Sequence, residues 1–199
     1  MELKGKISVI IGEHDYTTIN QKKEVYVLEN INKYTDKEKI CEAIKMVNLT
    51  QDYLLKKSNN LSTVEYNKLS LVNSLVNKEK DIILDHFEKG LCYKEREYFK
   101  RLFKKLSREF GINFIIKTND FSFVCDLADE YLIFKEGNVI KSVDKKDIYN
   151  EQVYKYFDKH VLVDFVMKSR KYNHLKDDYI DIKDVIKAIY RELKWDIFL

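Results

Sequence analysis

Residues 81–85 read Asp-Ile-Ile-Leu-Asp, and residues 112–116 read Ile-Asn-Phe-Ile-Ile. Both are short apolar runs bounded by polar residues, the pattern of a buried strand. Between them, Tyr98, Phe99, Leu102, Phe103, Leu106 and Phe110 recur at three- and four-residue steps, and Gly111 follows where a helix C-cap belongs. Strand, helix and strand in that order predict two parallel strands joined by a crossover.

Working outward, Ser62-Thr63-Val64-Glu65 has the form of a capping box. The helix it opens carries Leu69, Val72 and Val76 on one face and runs into Asn77-Lys78-Glu79-Lys80. On the other side, Phe121–Ala128 reads as a short helix. Tyr131–Phe134 and Val139–Ile140 flank Glu136-Gly137-Asn138 as a hairpin. Nearer the amino end, Lys6–Ile11 predicts a strand ending at Gly12, and Glu24–Leu28 predicts another. Thr35-Asp36-Lys37-Glu38 predicts a second capping box, opening a helix with Ile40, Ile44 and Val47 on one face. The expected class is α/β, a mostly parallel sheet flanked by helices. Beyond Ile140 the character changes, and Lys145–Leu199 has no strand signal. The clearest helix there runs from about Asp181 to Lys194, with Ile182, Val185, Ile186, Ile189 and Leu193 on one face. Two domains are expected: 1–140, α/β, and 141–199, helical.

Composition narrows the function classes. The 199 residues carry 36 Lys+Arg against 33 Asp+Glu, a net charge of +3, which is no nucleic-acid footprint. Hydrophobic residues at 45% exclude a disordered chain, and 35% charged residues exclude a membrane-embedded one. No apolar run reaches the roughly 18 residues of a membrane span, and no signal-peptide pattern is visible. Cys41, Cys92 and Cys125 are odd in number and widely spaced, unlike a disulfide framework or thiolate zinc site. A cytoplasmic protein is expected.

The order of these fragments carries a resemblance. Residues 61–140 resemble the second half of an ATP-binding cassette (ABC) transporter ATPase, a P-loop NTPase. Leu61-Ser62-Thr63-Val64-Glu65 stands where that family has its signature, and Asp81-Ile82-Ile83-Leu84-Asp85 matches the Walker B strand. Lys89-Gly90-Leu91-Cys92 matches the D-loop turn, and Ile115-Ile116-Lys117-Thr118-Asn119-Asp120 the switch strand. Leu127-Ala128-Asp129-Glu130 and Phe134–Ile140 resemble the family's closing hairpin. Gly5–Gly12 is similar to the strand into the Walker A loop, and Val25–Asn30 to the strand into the Q-loop. The tail around Asp181–Ile186 further resembles ATPases of energy-coupling-factor transporters.

The departures from that pattern are systematic. A working Walker A loop needs a second Gly for its phosphate cradle, a Lys and a hydroxyl; here Gly12 is followed by Glu13-His14-Asp15-Tyr16-Thr17-Thr18-Ile19. Thr63 and Val64 replace both signature glycines. His86 stands for the general-base Glu, Phe87 for the following Pro, Asn119 for the switch His, Glu29 for the Q-loop Gln, and Cys92 for the D-loop Asp. The nucleotide-contacting remnant the resemblance implies is Gly12, Glu29, Ser62, Asp85 and Asp120. Asp85 would address Mg²⁺ only if Mg-ATP bound. The span from Gly12 to Leu61 is roughly half the family's, so a truncated cassette is expected.

Local readings stand beside these. Asp85-His86 with Glu88 reads as a loop cap or as an acid/base or metal group. His14 and Asp15 read as a solvated loop or as ligands, Asn119 reads as a turn residue, and Tyr172-Asn173-His174 shows no partner. Lys100, Arg101, Lys104, Lys105 and Arg108 lie opposite the aromatic stripe, as a solvated face or an anionic membrane or RNA contact.

The expected function is a non-catalytic pseudo-ATPase subunit of an ABC or energy-coupling-factor transporter, without a cofactor. Its expected partners are an intact ABC ATPase or a second copy, and a transmembrane coupling subunit. No nucleic acid is expected, and Ile186, Ile189 and Trp195 would anchor the dimer. Peripheral placement on the inner membrane face goes with that reading. The rival is a surviving Mg-ATP-hydrolysing ATPase driving transmembrane transport, its sites completed by a partner.

Overall fold

The computed structural model describes residues 5–12, 31, 36–136, 138–149, 161–171, 187, 188, 190 and 191. The predicted strand Glu24–Leu28 and the loop Glu13–Ile19 lie outside them, as do Glu29, Tyr172–His174, Ile186, Ile189, Trp195 and the rest of the tail stripe.

Five strands form one sheet in the order β2-β3-β1-β4-β5. They are β1 (Ile7–Gly12), β2 (Asp81–Asp85), β3 (Asn113–Lys117), β4 (Glu130–Lys135) and β5 (Asn138–Asp144). β2 pairs parallel with β3 and β1 parallel with β4, while β5 returns antiparallel to β4. The α/β class with a mostly parallel sheet is therefore present. The chain divides into two compact units, Met1–Ile7 with Asp15–Lys117 and Ser8–His14 with Thr118–Leu199.

In the first unit, α1 (Lys37–Met46), α2 (Thr63–Val76) and α3 (Tyr93–Phe110) accompany β2 and β3. The capping box at Ser62 and Glu65 is formed as the sequence predicted. For α1 the cap is Asp36, one residue on from the expected Thr35, which lies outside the described residues; the Asp36 carboxylate accepts from the Glu38 amide two residues on. The α3 stripe buries Phe99, Leu102, Phe103 and Leu106, and Gly111 closes the helix in the left-handed region. Phe110 departs from the stripe and is 56% exposed. The core is aromatic. Phe87 meets Phe99 edge-on at 4.8 Å and Phe103 at 5.3 Å, and Phe103 lies 5.0 Å from Phe114. The Tyr98 hydroxyl donates to the Met46 carbonyl, tying α3 to the end of α1.

In the second unit, Glu130 on β4 accepts from Ser8 of β1 at 2.6 Å and from Ser142 of β5 at 3.1 Å. The helix predicted for Phe121–Ala128 is one turn, α4 (Phe121–Val124), because Asp120 caps it and the chain turns again at Cys125–Leu127. β5 runs past Ile140 to Asp144 and buries Val143. Edge strands admit the polar residues of Lys141–Asp144, so hydrophobicity alone did not mark that extension. A 3₁₀ turn (Lys145–Tyr149) and α5 (Val161–Lys171) follow. Among the described residues, no helix is long and apolar enough to cross a membrane.

Candidate functional site

Open α/β sheets place ligands at the carboxyl ends of their strands. At the end of β2, Asp85 is exposed and opposes Lys117 in register. The next residue, His86, takes a left-handed φ of 47° while its amide donates to the Lys117 carbonyl. That turn aims Phe87 into the aromatic core and buries Glu88 to 2% exposure. His86 Nδ1 lies 3.6 Å from Glu88 Oε1. An apolar Phe at the third position pulls the loop inward, so Glu88 is buried with it. Gly90 completes the turn. A Cβ there would meet Val64 Cγ2 at 2.6 Å, so the residue replacing a signature glycine now presses on this loop.

The start of α2 is closed by a reciprocal capping box. Ser62 Oγ accepts from the Glu65 amide, and Glu65 Oε2 accepts from the Ser62 amide at 2.7 Å. The other carboxylate oxygen, Glu65 Oε1, accepts from the Tyr53 hydroxyl at 2.7 Å. The Tyr53 hydroxyl, the Ser62 backbone amide, the Ser62 side chain and nearby Lys56 together hold the Glu65 carboxyl down to about 2. Tyr53 is raised in turn, chiefly by its bond to Glu65. The helix end therefore already carries its own anion.

α3 begins with a similar device. Cys92 is exposed at the N-cap, and its amide donates to Glu95 Oε2. Glu95 Oε1 also receives the Lys68 ammonium at 2.7 Å, which lowers the carboxyl. The Lys68 side chain is 6% exposed and Glu95 30%.

In the second unit, Asn119 is exposed in a bend, as the turn reading expected. Asp120 accepts from the Phe123 amide and the Ser122 hydroxyl, so its carboxylate serves as the cap of α4. Gly12 has φ +113°, and a Cβ would stand 2.4 Å from the Phe134 carbonyl oxygen. The close approach of β4 explains this glycine without any phosphate.

The residues described fit Mg-ATP poorly. Gly12 serves the sheet, Asp120 caps a helix turn, and an ionised Glu65 occupies the α2 end where the resemblance would place a γ-phosphate. Asp85 alone of that set is exposed and, among the described residues, without a side-chain hydrogen bond or ion pair. Among the described residues, no group of three or more His, Cys, Asp or Glu could hold a metal ion. Sequence reasoning missed Tyr53, Lys68 and Glu95. Lys68 left a signal, since it stands three and four residues before buried Leu71 and Val72; Tyr53 left none, lying 12 residues from its partner.

This fold is that of the ATP-binding cassette ATPases. It superposes on cbiO1 of Clostridium perfringens, part of the ABC transporter complex cbiONQ. The TM-score is 0.55 at 19% identity, covering 75% of this chain and 81% of that one. It also superposes on the dimeric bacterial ABC transporter cassette MJ0796, with a TM-score of 0.56 at 17% identity, covering 72% and 86%. In sequence, the chain is similar to the spermidine/putrescine import ATP-binding protein PotA. It is 30% identical to that of Pasteurella multocida over 115 residues, 58% of this chain and 31% of that protein. PotA of Haemophilus influenzae is 28% identical over 115 residues. The matched stretch spans about a third of the length of these curated relatives. No protein-family model matches the chain.

Proposed function

We propose that this chain is a non-catalytic, ATPase-like subunit of an ABC transporter. It pairs with a competent ABC ATPase or with a second copy, and docks to a membrane coupling subunit of the energy-coupling-factor type. The observation that carries this reading is the Glu65 carboxylate at the amino end of α2, held by Ser62 and Tyr53 and ionised down to about pH 2. A phosphate brought to that helix end meets a fixed like charge. Glu13 and Asp15 add two more carboxylates after Gly12. The sheet and helices persist by packing alone, so docking surfaces survive the loss of a phosphate cradle. The chain would then act in the cytoplasm, peripheral to the membrane, without Mg-ATP of its own.

Calorimetry at millimolar Mg-ATP tests this. The expected outcome is no binding; a dissociation constant at or below about 100 μM, about −5.5 kcal/mol, overturns it. Recovery of an intact ABC ATPase and a coupling subunit with the tagged chain from native membranes supports the partnership.

One observation favours the rival. His86 and Glu88 stand 3.6 Å apart at the end of β2, within ion-pair range though beyond a hydrogen bond, next to exposed Asp85. Mg-ATP turnover by the chain, alone or with the partner ATPase, that disappears in His86→Ala would establish a surviving ATPase.

A further inference from the structure

The outer flank of α3 is a ridge of cations. Lys94, Arg101, Lys105 and Arg108 are all exposed. At 3.6 residues per turn they fall within roughly 60° of one another, along about 21 Å of helix axis. The helix carries seven Lys or Arg against three Glu. Glu95, off the ridge, is bound to Lys68, and Glu97, which borders it, is bound to Lys100. Glu109 reaches Lys105 at 3.9 Å, in an exposed pair that solvent weakens. Among the described residues, no ion pair takes up Lys94, Arg101 or Arg108. The opposite face is buried through Phe99, Leu102, Phe103 and Leu106, so the ridge faces outward. Lys100 and Lys104, expected on this face, are half-buried instead.

We propose that this ridge seats the chain on an anionic phospholipid surface, its four side chains meeting headgroup phosphates. This rests on the transporter-subunit reading, which sets the chain beside a bilayer. The shape of the ridge favours lipid over RNA. A straight convex ridge touches a plane along its whole length, whereas single-stranded RNA is held in grooves with aromatic side chains stacked on its bases. No exposed aromatic residue lies on the ridge: Tyr98 borders it but is half-buried, its hydroxyl on the Met46 carbonyl. Tyr93 and Phe110 are 78% and 56% exposed, but are rotated from it by roughly a quarter turn or more. With no apolar residue on the ridge, attachment is electrostatic, without insertion.

The test is co-sedimentation of the full chain with vesicles of phosphatidylglycerol and phosphatidylcholine in equal parts, against phosphatidylcholine alone. The chain should pellet with the anionic vesicles only and be released by salt, since screening shortens the attraction to about 8 Å at physiological ionic strength. Arg101→Gln with Lys105→Gln should weaken partitioning about 25-fold, at about fivefold per cation. Lys94→Gln with Arg108→Gln should do the same. Lys37→Gln with Lys39→Gln removes equal charge from α1 and should leave partitioning within about twofold. Equal binding to neutral vesicles, no binding, an equal loss in the α1 pair, or tighter binding to a single-stranded RNA oligomer than to vesicles each overturns the proposal. Nucleotide binding is read separately by calorimetry. A chain that binds Mg-ATP and still pellets refutes only the non-catalytic reading.

Discussion

The Tyr53 hydroxyl donates to Glu65 Oε1 across 2.7 Å, linking the 3₁₀ turn Gln51–Leu55 to the first turn of α2. Glu65 thereby holds two partners from different segments. That relationship makes the helix end an internally neutralised terminus, and it has a measurable pH signature.

The Glu65 carboxyl sits at about 2 in the folded chain, below its unfolded value of about 4.3. Folding therefore favours the ionised form. That stabilisation is complete well above the unfolded value and fades as pH falls from there to about 2. Glu95, lowered chiefly by Lys68, adds in the same direction. Urea unfolding across acidic pH should show Glu65→Gln with a flatter acid limb than wild type. Tyr53→Phe should cost about 1 kcal/mol at neutral pH and shift that limb upward. Parallel limbs in all three proteins would refute the assignment.

The Lys68–Glu95 pair predicts an asymmetry. Glu95→Gln leaves a buried ammonium without its counter-charge and should cost about 3 kcal/mol. Lys68→Met leaves Glu95, which is 30% exposed and can reach water, and should cost about 1 kcal/mol. Chemical denaturation of both single variants and the double decides it; equal costs would contradict the burial argument.

Gly12→Ala should destabilise the chain by about 2–4 kcal/mol, from its positive φ and the collision with the Phe134 carbonyl. Phe134→Ala should not rescue it, because the obstacle is backbone. Thermal unfolding reads both; a neutral Gly12→Ala would mean the glycine is kept for some other reason.

Phe87 occupies the place where the resemblance has a Pro. Its ring is now part of the aromatic core, so Phe87→Ala should cost about 3–5 kcal/mol. Asp85→Ala, two residues earlier and exposed, should stay within about 0.5 kcal/mol of wild type. Comparable losses in the two variants would place Phe87 outside the core.

Much of the fold was legible because period and punctuation suffice for it. The three- and four-residue recurrence from Phe99 to Leu106 named the buried face of α3, and Gly111 its end. Ser62 and Glu65 marked the start of α2, and the apolar pentads marked β2 and β3. The edge strand was less legible, since β5 mixes Lys141, Ser142 and Asp144 with its apolar residues. At the candidate site, the sequence showed which residue types were missing from a nucleotide cradle. It did not show what had taken over the remaining ones.

Local spacing along the chain thus determined the α/β class, the helix caps and the loss of the phosphate-binding residue types, because each is a property of neighbours a few positions apart. Tertiary structure alone decided that Tyr53 reaches Glu65, that Lys68 is buried against Glu95, that Phe87 turns into the core and that Gly12 yields to Phe134. Each joins residues 12 or more positions apart, where one contact excludes water from a charge or admits no Cβ. Those energies depend on what lies across the gap, and the spacing of the residues along the chain does not carry that information.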